Sequence, residues 1–224
     1  MGACLALGLL FWLSGMAKAA SNPSKASVEF ARASGLVTQG DAIPMFKWAV
    51  EIKKPLGRPR LQVEEFAGSA SAQEPGITSI MRARYEGVKR DDSKKYSEFF
   101  TARNLITLHE NDDEVAVSLS GLSWPIESGK QFDFNVKDDH GSLSQRCLVL
   151  QQTSASQVQA AIPGAAFPID CSGGGRYRGF KVTVKSRVWY LQRLGIFFHE
   201  SDLIQSPLGQ FSTQAVVKEF TLSQ

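Results

Sequence analysis

The 224-residue sequence has little of what marks catalytic and metal sites. Its three histidines, His109, His140 and His199, show no His-x-His or His-x-x-x-His spacing that would bring two imidazoles to one ion. They read as surface or turn residues. No Gly-x-Ser-x-Gly turn presents a nucleophile. Gly173-Gly174-Gly175 precedes Arg176, but the glycine loop that cradles phosphates ends in Lys-Ser/Thr and opens a helix. Here a strand pattern follows, so the glycines read as a flexible turn. The sequence therefore leads to an expectation of no enzyme activity, no cofactor and no metal.

Helical periodicity is also missing from every long stretch. The one long apolar run, Met1 to Met16, falls short of the roughly 20 residues of a membrane span and contains Gly8, Ser14 and Gly15. Ala17-Lys18-Ala19 follows it with the small-x-small pattern cut by signal peptidases. Residues 1–19 are thus expected to be an export signal, with a retained anchor as the competing reading. A lipid anchor fits less well, because Cys4 stands at the start of the apolar run and not at its end. The expected location is periplasmic or secreted.

Cysteine is scarce, and its scarcity is informative. Without the leader only Cys147 and Cys171 remain. Two cysteines in an oxidising compartment are expected to pair. Closing a loop of about 25 residues stabilises by roughly 3–4 kcal/mol in the loop-entropy account. No Cys-x-x-Cys occurs and no histidine lies between them, which argues against a metal or redox pair.

About 205 residues then remain, enough for one large domain or two small ones. A net charge of +3, or +2 once Lys18 is gone, gives no signature of nucleic acid, which an exported protein rarely meets. Residues 20–40 read as a lead-in in which Ser27 to Ser34 could form a short helix. From residue 41 to 224 the pattern has period two. Strands are expected at Phe46–Ile52, Leu61–Phe66 and Ile77–Val88, the last with Arg82 and Arg84 on one face. Phe99–Leu108 and Glu114–Leu119 flank Glu110-Asn111-Asp112-Asp113 and read as a hairpin. Phe132, Phe134 and Val136 alternate with polar residues, turn at Asp138 to Gly141, and return through Cys147. Tyr177–Leu191 reads as a long strand, bent at Leu194-Gly195 and continued by Ile196 to Phe198. Gln214–Leu222 closes the chain. The expectation is a mainly β, antiparallel, curved sheet, as a sandwich or half-barrel with little helix. A boundary near residues 121–129 could divide it.

The acidic stretches are better read as turns than as calcium loops, since neither follows the spaced Asp-x-Asp-x-Asp-Gly order. One basic constellation stands out. From Ser172 to His199 there is no Asp or Glu, while Arg176, Arg178, Lys181, Lys185, Arg187 and Arg193 interleave with aromatic residues. Alternation puts Lys181, Lys185, Arg187 and Trp189 on one face. Arg176, Arg178, Lys181, Lys185 and Arg187 are thus candidates for an anionic partner: lipid headgroups, lipopolysaccharide or an acidic glycan. A solvated face balanced by carboxylates on a neighbouring strand is the plainer alternative.

The half from Trp124 onward resembles a class of bacterial periplasmic β-rich domains of uncharacterised role. The matching strings are Trp124-Pro125 with Gly129-Lys130, then Cys147, Ile162-Pro163-Gly164 through Phe167 to Cys171, and Trp189-Tyr190 with Leu194-Gly195. In that class they run W-P…G-K, I-P-A-G-x-F and W-Y-x-P-x-L-G. This chain has Gln192 where a proline is common, and Ala165-Ala166 lengthens the second string. The resemblance implies a secreted β-sheet fold and no particular activity. Two functions follow as expectations: a non-enzymatic envelope protein that binds or scaffolds at the cell surface, or a carrier with a lipid-filled half-barrel lined by its phenylalanines. An envelope-polymer hydrolase is a third, without a constellation to support it.

Overall fold

A computed structural model describes residues 23–37, 43–68, 76–86, 95–108 and 115–223. The leader, His109 and the acidic run 110–114 lie outside the described residues.

The fold is mainly β. One helix, α1 (Lys25–Ala33), precedes β1 (Phe46–Lys53), β2 (Arg60–Phe66), β3 (Ile77–Glu86), β4 (Lys95–Ala102), β5 (Ile106–Leu108), β6 (Val115–Ser120), β7 (Gln131–Asp138) and β8 (Gly141–Val149). Then come the short β9 (Thr153–Ser154), β10 (Ala165–Tyr177), β11 (Phe180–Leu191), β12 (Ile196–Ser206) and β13 (Gly209–Leu222). All join one 13-stranded antiparallel sheet in the order β5-β4-β3-β2-β1-β13-β12-β11-β10-β8-β7-β6, with β9 beside β10. The two ends of that order, β5 and β6, are consecutive in the chain. Ile106 and Leu108 of β5 share one apolar core with Val117 and Leu119 of β6 and Phe132 and Phe134 of β7. The sheet is therefore rolled almost into a barrel, with its seam between β5 and β6.

The alternating stretches form as their pattern dictates. Phe132, Phe134 and Val136 of β7 point inward with Cys147 and Val149 of β8, while Gln131, Asp133 and Asn135 face out. Elsewhere the chain departs from the expected course. Leu194-Gly195 reverses the chain instead of bending it: β11 ends at Leu191, β12 starts at Ile196, and Trp189 pairs with Phe198. The end of this hairpin is apolar on both faces. Tyr190 and Phe197 belong to the first core; Trp189, Leu191, Ile196 and Phe198 belong to a second one with Phe46, Trp48, Val50 and Phe66. A segment buried on both sides loses its period of two, which is why it reads as one continuous strand.

The hairpin expected across residues 110–113 also differs. Residues 99–108 fold back on themselves through Arg103, Asn104 and Leu105, with Ala102 opposite Ile106; the φ angles of 48° and 55° at Arg103 and Asn104 bring the Leu105 N–H to the Ala102 carbonyl at 3.0 Å. β6 pairs with β7. The glycine triplet is a correction too: Gly173 to Gly175 lie inside β10, paired with β8 and β11, and form no flexible turn. A Cβ on Gly173 would come 1.9 Å from the Ser144 carbonyl oxygen, and one on Gly175 2.0 Å from that of Ser142. Glycine is needed there because the neighbouring backbone occupies the side-chain position.

The lead-in contributes to the core. Ser24 caps α1 by accepting from the Ser27 amide at 3.0 Å. At the other end Gly35 (φ 71°) allows its own N–H to reach the Arg32 carbonyl and that of Leu36 to reach Ala31, both at 2.9 Å. Ala31 and Leu36 are fully buried. Arg103, also fully buried, fixes this segment: Nε donates to the Leu36 carbonyl at 2.7 Å and Nη1 to that of Gly195 at 2.9 Å, and its guanidinium lies 4.2 Å from the Trp124 ring.

Candidate functional site

Cys147 and Cys171 stand directly opposite each other on β8 and β10 with their sulfurs 2.02 Å apart, the distance of a disulfide. Beside them Leu105, Phe132, Phe134, Val188, Phe197 and His199 enclose a cavity of about 20 Å³. That is room for about one water molecule, far too little for an acyl chain.

His199 departs from the surface reading. Its Nε2 lies 2.8 Å from Asp202 Oδ2, and both side chains are largely buried. Ser186 donates to the other oxygen of Asp202 at 2.6 Å, and Gln145 donates to Ser186 at 2.9 Å. Gln145 reaches across β10 because its register partner there, Gly173, has no side chain. Burial alone would raise the Asp202 carboxyl; His199, through its charge and hydrogen bond, and the Ser186 hydroxyl outweigh it and hold the group below the usual carboxylate range. The carboxylate is thus shared between the His199 imidazole and the Ser186 hydroxyl. His140 sits in the β7–β8 turn, where Asp138 accepts from the amides of His140 and Gly141, each at 2.9 Å. Among the described residues no group of three His, Cys, Asp or Glu side chains is placed to hold a metal.

The structure brings the basic candidates to the β10–β11 hairpin. Lys181, Lys185 and Arg187 share the outer face of β11 with Thr183; Arg176, opposite Lys181, shares the outer face of β10 with Asp170, Ser172 and Gly174. Arg178 occupies the turn with φ 49°, its guanidinium 5.8 Å from the Tyr177 ring. Trp189, on the same face, is buried and donates to Glu200 at 2.8 Å, so it belongs to no surface stripe. Arg187 is neutralised by Asp170, which accepts from both Nε and Nη2. Among the described residues no carboxylate lies within ion-pair distance of Arg176, Lys181 or Lys185, and all three are exposed.

Sequence reading missed what lies between these cations. Ser118, Asn135, Ser144, Gly174, Thr183, Gln205 and Gln210 fall in one row across β6, β7, β8, β10, β11, β12 and β13. Asn135 donates to Ser118 at 3.2 Å and accepts from Ser144. Beyond Gly174, Thr183 donates to Gln205 at 3.3 Å, and Gln205 to Gln210 at 3.4 Å. At ordinary strand spacing the row is about 29 Å long. Lys137, Arg176 and Lys181 line one side of it, and Arg146 and Lys185 the other. Register across seven strands is not encoded in any local window, so only the folded sheet displays the row.

The strings that carry the periplasmic-domain resemblance converge inside. Trp124 donates to the Gly35 carbonyl and packs at 5.2 Å from the Tyr190 ring, which in turn lies 6.5 Å from Phe167. Trp124, Phe167 and Tyr190 belong to the first core, and Ile162, Trp189 and Leu194 to the second.

No family model matches the sequence, and no curated protein matches it. Among solved structures the chain is similar to a Bacteroides fragilis protein assigned as exported, with a YMCC-like fold, at 7% identity and a TM-score of 0.42, over 79% of this chain and 95% of that one. It is also similar to a Parabacteroides distasonis protein assigned as a lipoprotein, at 6% identity and a TM-score of 0.41, over 83% of this chain and 98% of the other.

Proposed function

We propose that this is an exported, non-enzymatic protein of the cell envelope that docks an acidic glycan on the outer face of β8, β10, β11 and β12. The observation that carries the reading is the polar row bordered by Arg176, Lys181 and Lys185, none of which has a carboxylate within ion-pair distance among the described residues, while Arg146 on the same border donates to Asp133 at 3.0 Å. Its hydroxyl and amide groups can donate and accept, as sugar hydroxyls demand. Arg176, Lys181 and Lys185 supply positive charge on the exposed side of β10 and β11. Gly174 keeps the centre of the row flat, so a linear polymer can lie against the strands. The leader-like residues 1–19 and the cysteine pair at disulfide distance support an oxidising, extracytoplasmic setting.

The test is titration of the mature chain with polygalacturonate, with neutral dextran and with vesicles of anionic lipid. Binding to polygalacturonate is expected, weakening with added salt. Replacing Arg176, Lys181 and Lys185 together by Glu should weaken it by about tenfold or more while the thermal midpoint stays within a few degrees. Unchanged affinity in the triple variant, equal binding of dextran, or binding to the vesicles alone would overturn the reading.

A further inference from the structure

A second gathering of cations lies inside the barrel, at the β1–β2 end. On β2 the inward positions are Arg60, Gln62, Glu64 and Phe66; opposite them on β3 Gln62 faces Arg84, Glu64 faces Arg82 and Phe66 faces Ile80. Lys54, just beyond β1, joins this group: burial, then Arg60 and Arg84, lower its ammonium from the usual lysine range. Glu64 is almost fully buried, and its carboxylate is already engaged. Oε1 accepts from Gln62 at 2.5 Å and Arg82 at 2.6 Å, and Oε2 accepts from Trp48 at 2.7 Å. The Arg82 guanidinium also lies 4.3 Å from the Phe99 ring.

Arg84 is left over. Its Nη2 is buried and has no acceptor. Burial and the neighbouring Arg82 lower its pKa, Glu64 pulling the other way. A water molecule could satisfy the hydrogen bond but not the charge. Among the described residues, Lys54, Arg60, Arg82 and Arg84 gather near one carboxylate, that of Glu64. A buried cationic donor without an acceptor is costly, and such a group normally has a partner. Guanidinium forks match the oxygens of a phosphate. Arg60 is exposed and Lys54 half-buried, so the site opens to solvent beside the β1–β2 turn.

We propose that Arg84, with Lys54 and Arg60, holds a phosphate group at this end of the barrel, either as the free ion or at the tip of a larger molecule. Arg82 and Glu64 position Arg84 from behind. The site is built from residues that take no part in the outer face, so the two proposals stand or fall separately.

The experiment is calorimetric titration of the full chain with inorganic phosphate, with soluble dihexanoyl phosphatidic acid, and with acetate at equal ionic strength. Phosphate or the phosphatidic acid should bind, and the tighter of the two identifies the source; acetate should bind at least tenfold more weakly, having only two oxygens and less charge. Arg84→Met and Lys54→Gln, the second at a half-exposed position, should each weaken binding by about tenfold. A thermal readout separates this from a structural role. Without phosphate Arg84→Met should melt at or above the wild-type midpoint, because like-charge crowding is relieved; in roughly 10 mM phosphate the order should reverse. The proposal is overturned by absence of binding of both phosphate compounds, by acetate binding equally well, by unchanged affinity in both variants, or by an Arg84→Met midpoint below wild type in both buffers.

Discussion

On the outer face of β10 and β11, Arg176, Lys181 and Lys185 stand in water, and the nearest ion pair, Arg187 with Asp170, is itself half in solvent. At the β1–β2 end, Arg82 is withdrawn behind Trp48 and Phe99, with Glu64 only 3% exposed at its side chain. The same residue types do different things in the two places. Outside, water screens each charge, so the cations cost the fold little and remain available to a partner. Inside, charge must be answered locally, and Glu64 becomes the centre on which three donors converge. Exposure, more than the number of cations, decides whether a cation must find a partner: Arg82 has Glu64 within the fold, and Arg84, whose buried Nη2 lacks an acceptor, is the one proposed to take phosphate.

The contrast is sharpest at the two carboxylates. Glu64→Gln removes the buried carboxylate on which Arg82, Gln62 and Trp48 converge, and is expected to cost about 3–5 kcal/mol in chemical denaturation. Asp202 should show an intermediate effect, legible in pH. Its folded carboxyl titrates below the unfolded one, so its stabilisation is complete above the unfolded value of about 4 and is lost as pH falls through the folded value. Asp202→Asn should flatten that acid limb of the stability curve; a limb that survives would assign acid lability elsewhere. Asp170→Asn, which frees Arg187 on the outer face, should cost under about 1 kcal/mol. If Asp170→Asn proved as damaging as Glu64→Gln, the distinction between the two regions would be lost.

How much of this was legible depends on which signal each segment carries. β7 and β8 were readable because one face is wet and one dry, so Phe132, Phe134 and Val136 alternate with polar residues. The mainly β class and the Cys147–Cys171 pairing followed from equally local signals. The β11–β12 reversal was hidden because Trp189 to Leu191 and Ile196 to Phe198 are buried on both faces. The turn at Arg103-Asn104 was hidden because left-handed backbone is uncommon for arginine and is fixed there by contacts distant in sequence. Gly173 to Gly175 carry the composition of a turn, yet they are strand residues whose side-chain space the neighbouring backbone fills. Arg82 and Arg84 were visible as one face of a strand. That the face is interior follows only from Phe66 and Ile80 beside them in the second core.

The seam between β5 and β6 has a consequence for how the molecule is assembled. Among the described residues every ladder joins strands that follow one another closely along the chain, except that of β1 with β13, where Phe46 meets Leu222. That single ladder closes a loop spanning most of the polypeptide, and it carries the largest entropic cost of any pairing. A circular permutant opened at the seam and joined after Leu222 through a linker that keeps α1 and Leu36 ahead of Phe46 would turn the whole sheet into a meander of nearest neighbours, and refolding should quicken as mean contact separation falls.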